Sequence, residues 1–193
     1  MNASFREPLE PGARASLRAR LRGGPAGRAV ARLDLHVYRL LRSAAREPEL
    51  ATIRVYSRMG EHAALWLALG AGGALVDEPR RARWARALGA VFGTYLLNTA
   101  IKGVFRRKRP VLADLPALIA TPTKLSFPSA HASSSFAAAR AYSGLVPAVP
   151  LYAGASVMAL SRVYLGVHYP SDVLSGLLIG RAVARVWPRG RRS

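Results

Sequence analysis

His168 and Asp172 stand four residues apart in SRVYLGVHYPSD (161–172), and Asp172 is the only acidic residue after Asp114. Two further polar stretches precede it, KGVFRRKRP (102–110) and FPSAH (127–131). Together they offer two histidines, one carboxylate and several fixed cations. That set suits phosphoryl transfer, which needs charge neutralisation, a nucleophile and a proton for the leaving oxygen. A neutral imidazole can attack phosphorus and carry a covalent phosphoryl group. A carboxylate can orient its other ring nitrogen, as in a nucleophile–base–orienter triad. His168 suits the first role and Asp172 the second. Arginine presents a planar fork to phosphate oxygens and lysine a compact charge; Lys102, Arg109 and Arg162 supply both kinds. FPSAH opens a predicted helix whose free N–H groups favour phosphate. Ser129 adds a hydroxyl there, and His131 is placed to protonate a leaving group. His36 and His62 read as ordinary polar residues, Arg106–Arg107–Lys108 as a charge cluster flanking a membrane, and Tyr164 and Tyr169 as interfacial anchors.

The elements that must position these residues are helical. The 193-residue chain carries 29 Lys and Arg against 10 Asp and Glu, a formal charge of +19, yet 51% of it is hydrophobic. The charge calls for an anionic partner, but the apolar residues lie in long runs instead of interleaving with basic ones, which argues against nucleic acid. With no cysteine, a disulfide framework, a thiolate metal site and a cysteine nucleophile are excluded. Residues 1–27 read as a basic, disordered tail without the apolar stretch of a signal peptide. Residues 28–46 place Val30, Leu33, Val37, Leu40 and Leu41 at helical spacing among charges, an amphipathic helix too charged to span a bilayer. Pro48 breaks it, and a short helix covers Leu50–Met59.

Five apolar segments follow: 61–76, 84–101, 131–149, 150–165 and 171–187. Each approaches the length of a membrane span, and their Gly, Ala and Ser suit close helix packing. No segment alternates like a strand. The expected fold is an all-α polytopic membrane bundle of about five spanning helices, with an N-terminal amphipathic helix. A phosphatase domain over 60–187 follows the amphipathic segment 28–59 and precedes a basic tail, 188–193. If the five segments span, alternation alone brings the three polar stretches to one face. Pro170 suits the first helical position of the last segment, and Asp172 its first turn.

These residues resemble the signature of the type-2 phosphatidic acid phosphatase superfamily. Its first part is Lys, six residues, Arg-Pro, matched by Lys102, Arg109 and Pro110. Its second, Pro-Ser-Gly-His, appears as Pro128–His131 with Ala130 in place of glycine. Its third, Ser-Arg, five residues, His, three residues, Asp, is matched in full. The resemblance covers about 60–187. It implies His168 as nucleophile, Asp172 as its partner and His131 as general acid. It implies Lys102, Arg109, Ser129 and Arg162 as phosphate ligands, with no metal and no cofactor. A helix-start residue needs no positive φ, so Ala130 should be tolerated.

The expected activity is hydrolysis of a lipid phosphate or diphosphate through a phosphohistidine. Phosphatidic acid, phosphatidylglycerol phosphate, polyprenyl diphosphate and a polyprenyl phosphosugar are the candidate substrates. A haloperoxidase-like enzyme using a similar pocket for vanadate, and a non-catalytic binder of anionic lipid, are the alternatives. The lipid phosphate and the bilayer are the expected partners, and nucleic acid is not one. Arginines near the first segment and the 102–109 cluster favour a site on the cytoplasmic face of the cell's inner membrane.

Overall fold

The structure is a computed structural model and describes residues 24–46 and 49–187. Of the expected disordered tail over 1–27, residues 1–23 lie outside the described residues, as do Pro48 and the tail 188–193; from Pro25 the chain is instead helical, since proline suits the first helical position. Seven α-helices lie among the described residues: α1 (Pro25–Ser43), α2 (Glu49–Met59), α3 (Ala64–Val76), α4 (Arg81–Phe105), α5 (Ala130–Tyr142), α6 (Ala148–Tyr164) and α7 (Pro170–Val186). Short 3-10 turns at Glu61–Ala63 and Glu78–Arg80 lead into α3 and α4. Both helices expected before residue 60 form within a few residues of their predicted bounds, and so do four of the five apolar ones. The third apolar segment stops early, at Tyr142 and not near 149. Gly144 turns the chain with φ +89°, and Pro147 stands immediately before α6.

Helix α5 is the axis of the bundle. Residues 132–139 are buried without interruption, and α4, α6 and α7 pack around them. Its sequence, AHASSSFAAARAY, permits this, because small side chains let neighbouring backbones approach. The closest approach is to α7. A Cβ added to Gly176 would lie 2.5 Å from the carbonyl oxygen of Ser129, and one added to Gly180 would collide with the carbonyl of Ser133. Bulkier residues of other helices fill the opposite end. Trp66 donates to Ser135 Oγ at 2.7 Å, and Tyr142 donates its hydroxyl to the Trp66 carbonyl at 2.8 Å. A buried indole N–H or phenol O–H without a partner would be costly, and these bonds remove that cost.

One helical stretch among the described residues, Glu78–Phe105, is long and apolar enough to cross a membrane, with a mean hydropathy of 1.2 over its best window. Outward-facing apolar residues are nonetheless spread over the bundle, including Leu75, Leu96, Val157, Leu160, Leu174 and Leu178. Helix α1 has three faces. Asp34, Tyr38 and Arg42 are buried, Val30, Leu33 and Leu40 are exposed, and Arg28, Arg32 and Arg39 follow a separate stripe.

Helix α4 ends on Arg106, whose φ of 49° places it in the left-handed region while its N–H bonds the Lys102 carbonyl. This cap turns the chain sharply. Residues 107–109 then run against 124–126: Ser126 donates its N–H to the Arg107 carbonyl at 2.8 Å, and Arg109 to the Lys124 carbonyl at 3.3 Å. The long connection between α4 and α5 is thereby pinned at both ends.

Candidate active site

Five of the seven residues singled out by spacing line one open cleft: Lys102, Arg109, His131, Arg162 and His168. Glu61, His62, Tyr95, Asn98, Thr99, Pro122, Thr123 and Ala130 complete its wall. Lys102 comes from the last turn of α4, His131 from the first turn of α5 and Arg162 from the last turn of α6. His168 belongs to the turn between α6 and α7. The bundle therefore gathers at one end residues that are up to 66 positions apart.

His168 is nearly fully buried, at 1% exposure. Its Nε2 lies 3.1 Å from Arg109 Nη1. A guanidinium only donates, so Nε2 faces it as a lone pair and the ring proton resides on Nδ1. Burial, followed by the charges of Arg109, Arg162 and Lys102, holds His168 well below the ordinary histidine value. The ring is therefore neutral at pH 7, as a nucleophile requires. Arg109 also donates to the carbonyls of Val167 (2.6 Å) and Thr123 (2.9 Å). Burial lowers it to about 10, so it stays charged at neutral pH.

Asp172 is completely buried behind His168. Its Oδ2 lies 3.5 Å from His168 Nδ1, close enough for an electrostatic interaction, but Nδ1 makes no hydrogen bond here. The expected orienting bond is thus replaced by proximity. The carboxylate is committed elsewhere. Oδ2 accepts from the Tyr169 N–H at 2.9 Å, capping α7, and Oδ1 accepts from Arg107 Nη1 at 2.8 Å. Pro170 occupies the first helical position, as its lack of an N–H favours.

Ser129 is also behind the cleft wall. It is fully buried and caps α5, its Oγ accepting from the Ala132 N–H at 3.4 Å. Its own N–H donates to the Asp172 carbonyl at 3.0 Å. The hydroxyl expected at the phosphate is therefore turned to the helix end, because the cap satisfies a free N–H there.

Spacing alone missed several residues. Arg107, read as part of a membrane-flanking cluster, folds inward. Its guanidinium bonds Asp172, Ser171 Oγ (2.7 Å) and Asp34 Oδ2 (2.7 Å), and stacks 4.2 Å from the Tyr169 ring centroid. Tyr169 accordingly packs on Arg107 behind the cleft and is not a free anchor. Arg106 and Lys108 beside it are exposed. Ser57 on α2 is fully buried and serves two site residues: its Oγ accepts from Arg162 Nη1 at 2.5 Å, and its carbonyl accepts from His131 Nε2 at 3.1 Å. His62 lines the cleft against Tyr95, with ring centroids 6.1 Å apart, whereas His36 is exposed. Only the lone acidic residue in a buried helical stripe, Asp34 with Tyr38 and Arg42, could have signalled the N-terminal contribution.

A buried neutral imidazole facing three cations, at the end of an all-helical bundle, defines a phosphatase acting on phosphoric esters. The chain belongs to the PAP2 superfamily, whose family model matches residues 83–192. It is 44% identical to decaprenylphosphoryl-5-phosphoribose phosphatase of Mycolicibacterium smegmatis over 69% of this chain and 74% of that one. It is 42% identical to the Mycobacterium tuberculosis protein of the same name, over 71% and 77% of the two chains. The fold is similar to that of Aquifex aeolicus LpxE, with a TM-score of 0.70 at 25% identity, covering 80% of this chain and 93% of that one. It is also similar to a transmembrane PAP2-type phosphatidylglycerolphosphate phosphatase from Bacillus subtilis, with a TM-score of 0.69 at 19% identity over 93% and 94% of the chains.

Proposed function

We propose that the protein removes the terminal phosphate of a polyprenyl-linked phosphosugar, forming a phosphohistidine at His168. The observation that carries this reading is the His168 Nε2 lone pair facing Arg109 on a wall shared with Lys102 and Arg162. The mycobacterial relatives, named for decaprenylphosphoryl-5-phosphoribose, favour the phosphosugar among lipid phosphates. Lys102, Arg109 and Arg162 hold the non-bridging phosphate oxygens, with the N-terminus of α5, capped by Ser129, directed at the same charge. Nε2 attacks phosphorus as the ester P–O bond breaks. The leaving sugar oxygen takes a proton from His131. Water then attacks the phosphohistidine, giving its proton to His131, and inorganic phosphate leaves with free His168 restored. Asp172 stabilises the positive charge that His168 develops. No metal enters these steps.

In this reading α3 to α7 span the bilayer and the cleft opens at one membrane face. At 1.5 Å per residue the 17-residue α6 and α7 reach about 26 Å and the 13-residue α3 and α5 about 20 Å, short of a ~30 Å hydrocarbon core, so the bundle sits in a locally thinned bilayer. Helix α1 lies on the headgroups, its exposed Leu33 and Leu40 directed to lipid and its arginines to phosphate. The site faces the cytoplasm, from the arginines near the first span and in 102–109. The phosphatase unit covers 60–187, braced by α1 and α2.

The test is phosphate release by purified protein in detergent with EDTA, from a polyprenyl-phosphoryl pentose 5-phosphate, phosphatidic acid and polyprenyl diphosphate. Preference for the phosphosugar supports the reading, and preference for either other lipid overturns the substrate assignment. Labelling of cysteines placed in 111–123 reports the face; labelling from outside alone overturns the cytoplasmic assignment.

A further inference from the structure

Asp34 is an unusual residue to bury. It is 3% exposed on a helix that precedes the span matched by the family model. Its carboxylate makes three short bonds: Oδ1 accepts from the Ser171 N–H at 2.8 Å, and Oδ2 accepts from Ser171 Oγ at 2.6 Å and Arg107 Nη2 at 2.7 Å. The same guanidinium turns its other nitrogen to Asp172 at 2.8 Å. One arginine is thus held between two carboxylates, from α1 and from α7, with its plane on Tyr169. Buried ions left without partners are strongly destabilising. A fixed fork between two carboxylates also admits only a narrow set of orientations.

The position of this cluster matters more than its strength. Arg107 does not line the cleft, and neither does Asp34. Neither can touch a substrate phosphate there. Both act on Asp172, whose Oδ2 lies 3.5 Å from the His168 ring. Arg109 holds the Nε2 side of the His168 ring, so the Nδ1 side is placed by what lies behind it, the Asp172 carboxylate and the Ser126 backbone. Helix α1 is anchored to the same region by two more contacts. Tyr38 donates to the Gly166 carbonyl at 3.3 Å and Arg42 Nη2 to the Pro116 carbonyl at 2.8 Å.

We propose that Asp34 and Arg107 are positioning residues of the phosphatase reaction: Asp34 orients the Arg107 guanidinium, and Arg107 holds the Asp172 carboxylate against His168. The N-terminal helix is then part of the catalytic apparatus and not an accessory anchor. The inference rests on phosphatase chemistry at His168, and is independent of which lipid is hydrolysed.

The test is steady-state kinetics of the full chain in detergent, with dioctanoyl phosphatidic acid and p-nitrophenyl phosphate as probes. Melting temperatures are measured on the same samples. Arg107→Ala is expected to lower kcat about 100-fold with KM changed less than about threefold, and Arg107→Lys to restore part of the loss. Asp34→Asn, nearly isosteric, is expected to lower kcat about tenfold. The double variant should be no slower than Arg107→Ala alone, because Asp34 works through Arg107. Multiplying losses, or a loss confined to KM, would overturn the proposal. Unchanged kcat in Asp34→Asn that still melts like wild type would overturn it too. Activity in wild type that survives His168→Ala would instead overturn the phosphohistidine reading on which it stands.

Discussion

Arg162 and Ser57 are joined by a 2.5 Å hydrogen bond across 105 positions of sequence, within a buried pocket. The same serine's carbonyl receives the His131 Nε2–H. One small residue of α2 therefore places both Arg162 and His131, the proposed phosphate ligand and proton donor. Ser57→Ala leaves a buried guanidinium nitrogen without its partner, and kcat/KM should fall about tenfold. The loss should appear in KM and kcat together, measured by phosphate release. An unchanged KM would show that Arg162 does not need Ser57.

His168→Ala removes the atom proposed to attack phosphorus. Turnover should fall by at least about 1,000-fold, leaving only electrostatic stabilisation by the cations. Acid-labile phosphate trapped on wild-type protein by rapid quenching should be absent from this variant. Asp172→Asn should lower kcat steeply while melting lower than wild type, since its carboxylate also caps α7 and pairs with Arg107.

The depressed proton affinity of His168 has a definite sign in pH. The folded protein keeps the ring neutral below the ordinary histidine value. The unfolded chain takes up a proton near 6.5, so it binds more protons than the folded one below that pH. Folding stability should therefore decline as pH drops below about 6.5, and this part of the decline should vanish in His168→Gln. Thermal melts of both proteins from neutral pH into acid measure it. The acid limb of kcat/KM should also lie below 6.5, because the free enzyme's nucleophile stays unprotonated there.

Gly180→Leu should prevent α5 and α7 from reaching their native contact, since even a methyl would collide with the Ser133 carbonyl. The expected result is loss of the folded protein on gel filtration in detergent. Gly72→Ala is the control: a Cβ there meets nothing within 4 Å, and alanine in a helix is favoured by about 1 kcal/mol.

Arg106 occupies the left-handed cap of α4 with its side chain exposed. Arg106→Gly should stabilise the protein by roughly 0.5–1 kcal/mol, by removing the cost of a Cβ at positive φ. A higher melting temperature with unaltered kcat is the expected outcome. A lower one would mean that the arginine side chain contributes a contact.

Much of the architecture was legible because small and apolar residues recur over helical lengths, and because Pro, Gly and Tyr-Pro boundaries punctuate them. The gathering of His131, His168, Lys102, Arg109 and Arg162 followed from alternation of those helices. Arg107 was not legible. Its neighbours Arg106 and Lys108 are exposed, and nothing local distinguishes the inward-facing member of three consecutive cations. The left-handed φ of Arg106 turns the chain just before Arg107, and Asp34, Asp172 and Tyr169 hold Arg107 inward. Ser57 and Asp34 were hidden for a different reason: their partners lie 73 to 137 residues away. The roles of Ser129 and Asp172 were blurred because each side chain competes for two tasks. At a helix start, capping the backbone takes precedence in this structure.

The stitching of α5 to α7 separates two kinds of change. The Ser129 N–H bonds the Asp172 carbonyl, and Gly176 brings the two backbones almost into contact, so the acid-bearing and carboxylate-bearing helices form one rigid body. Pro122 and Thr123, on the opposite rim, belong to a connection that α4 and α5 hold at its ends and that Tyr38, Arg42 and Leu165 hold at Leu115, Pro116 and Leu118. Substitutions in that rim can reshape which headgroup enters while the reacting atoms keep their spacing. A library confined to the side chains of Pro122 and Thr123 is thus the economical route to altered lipid selectivity at undiminished turnover.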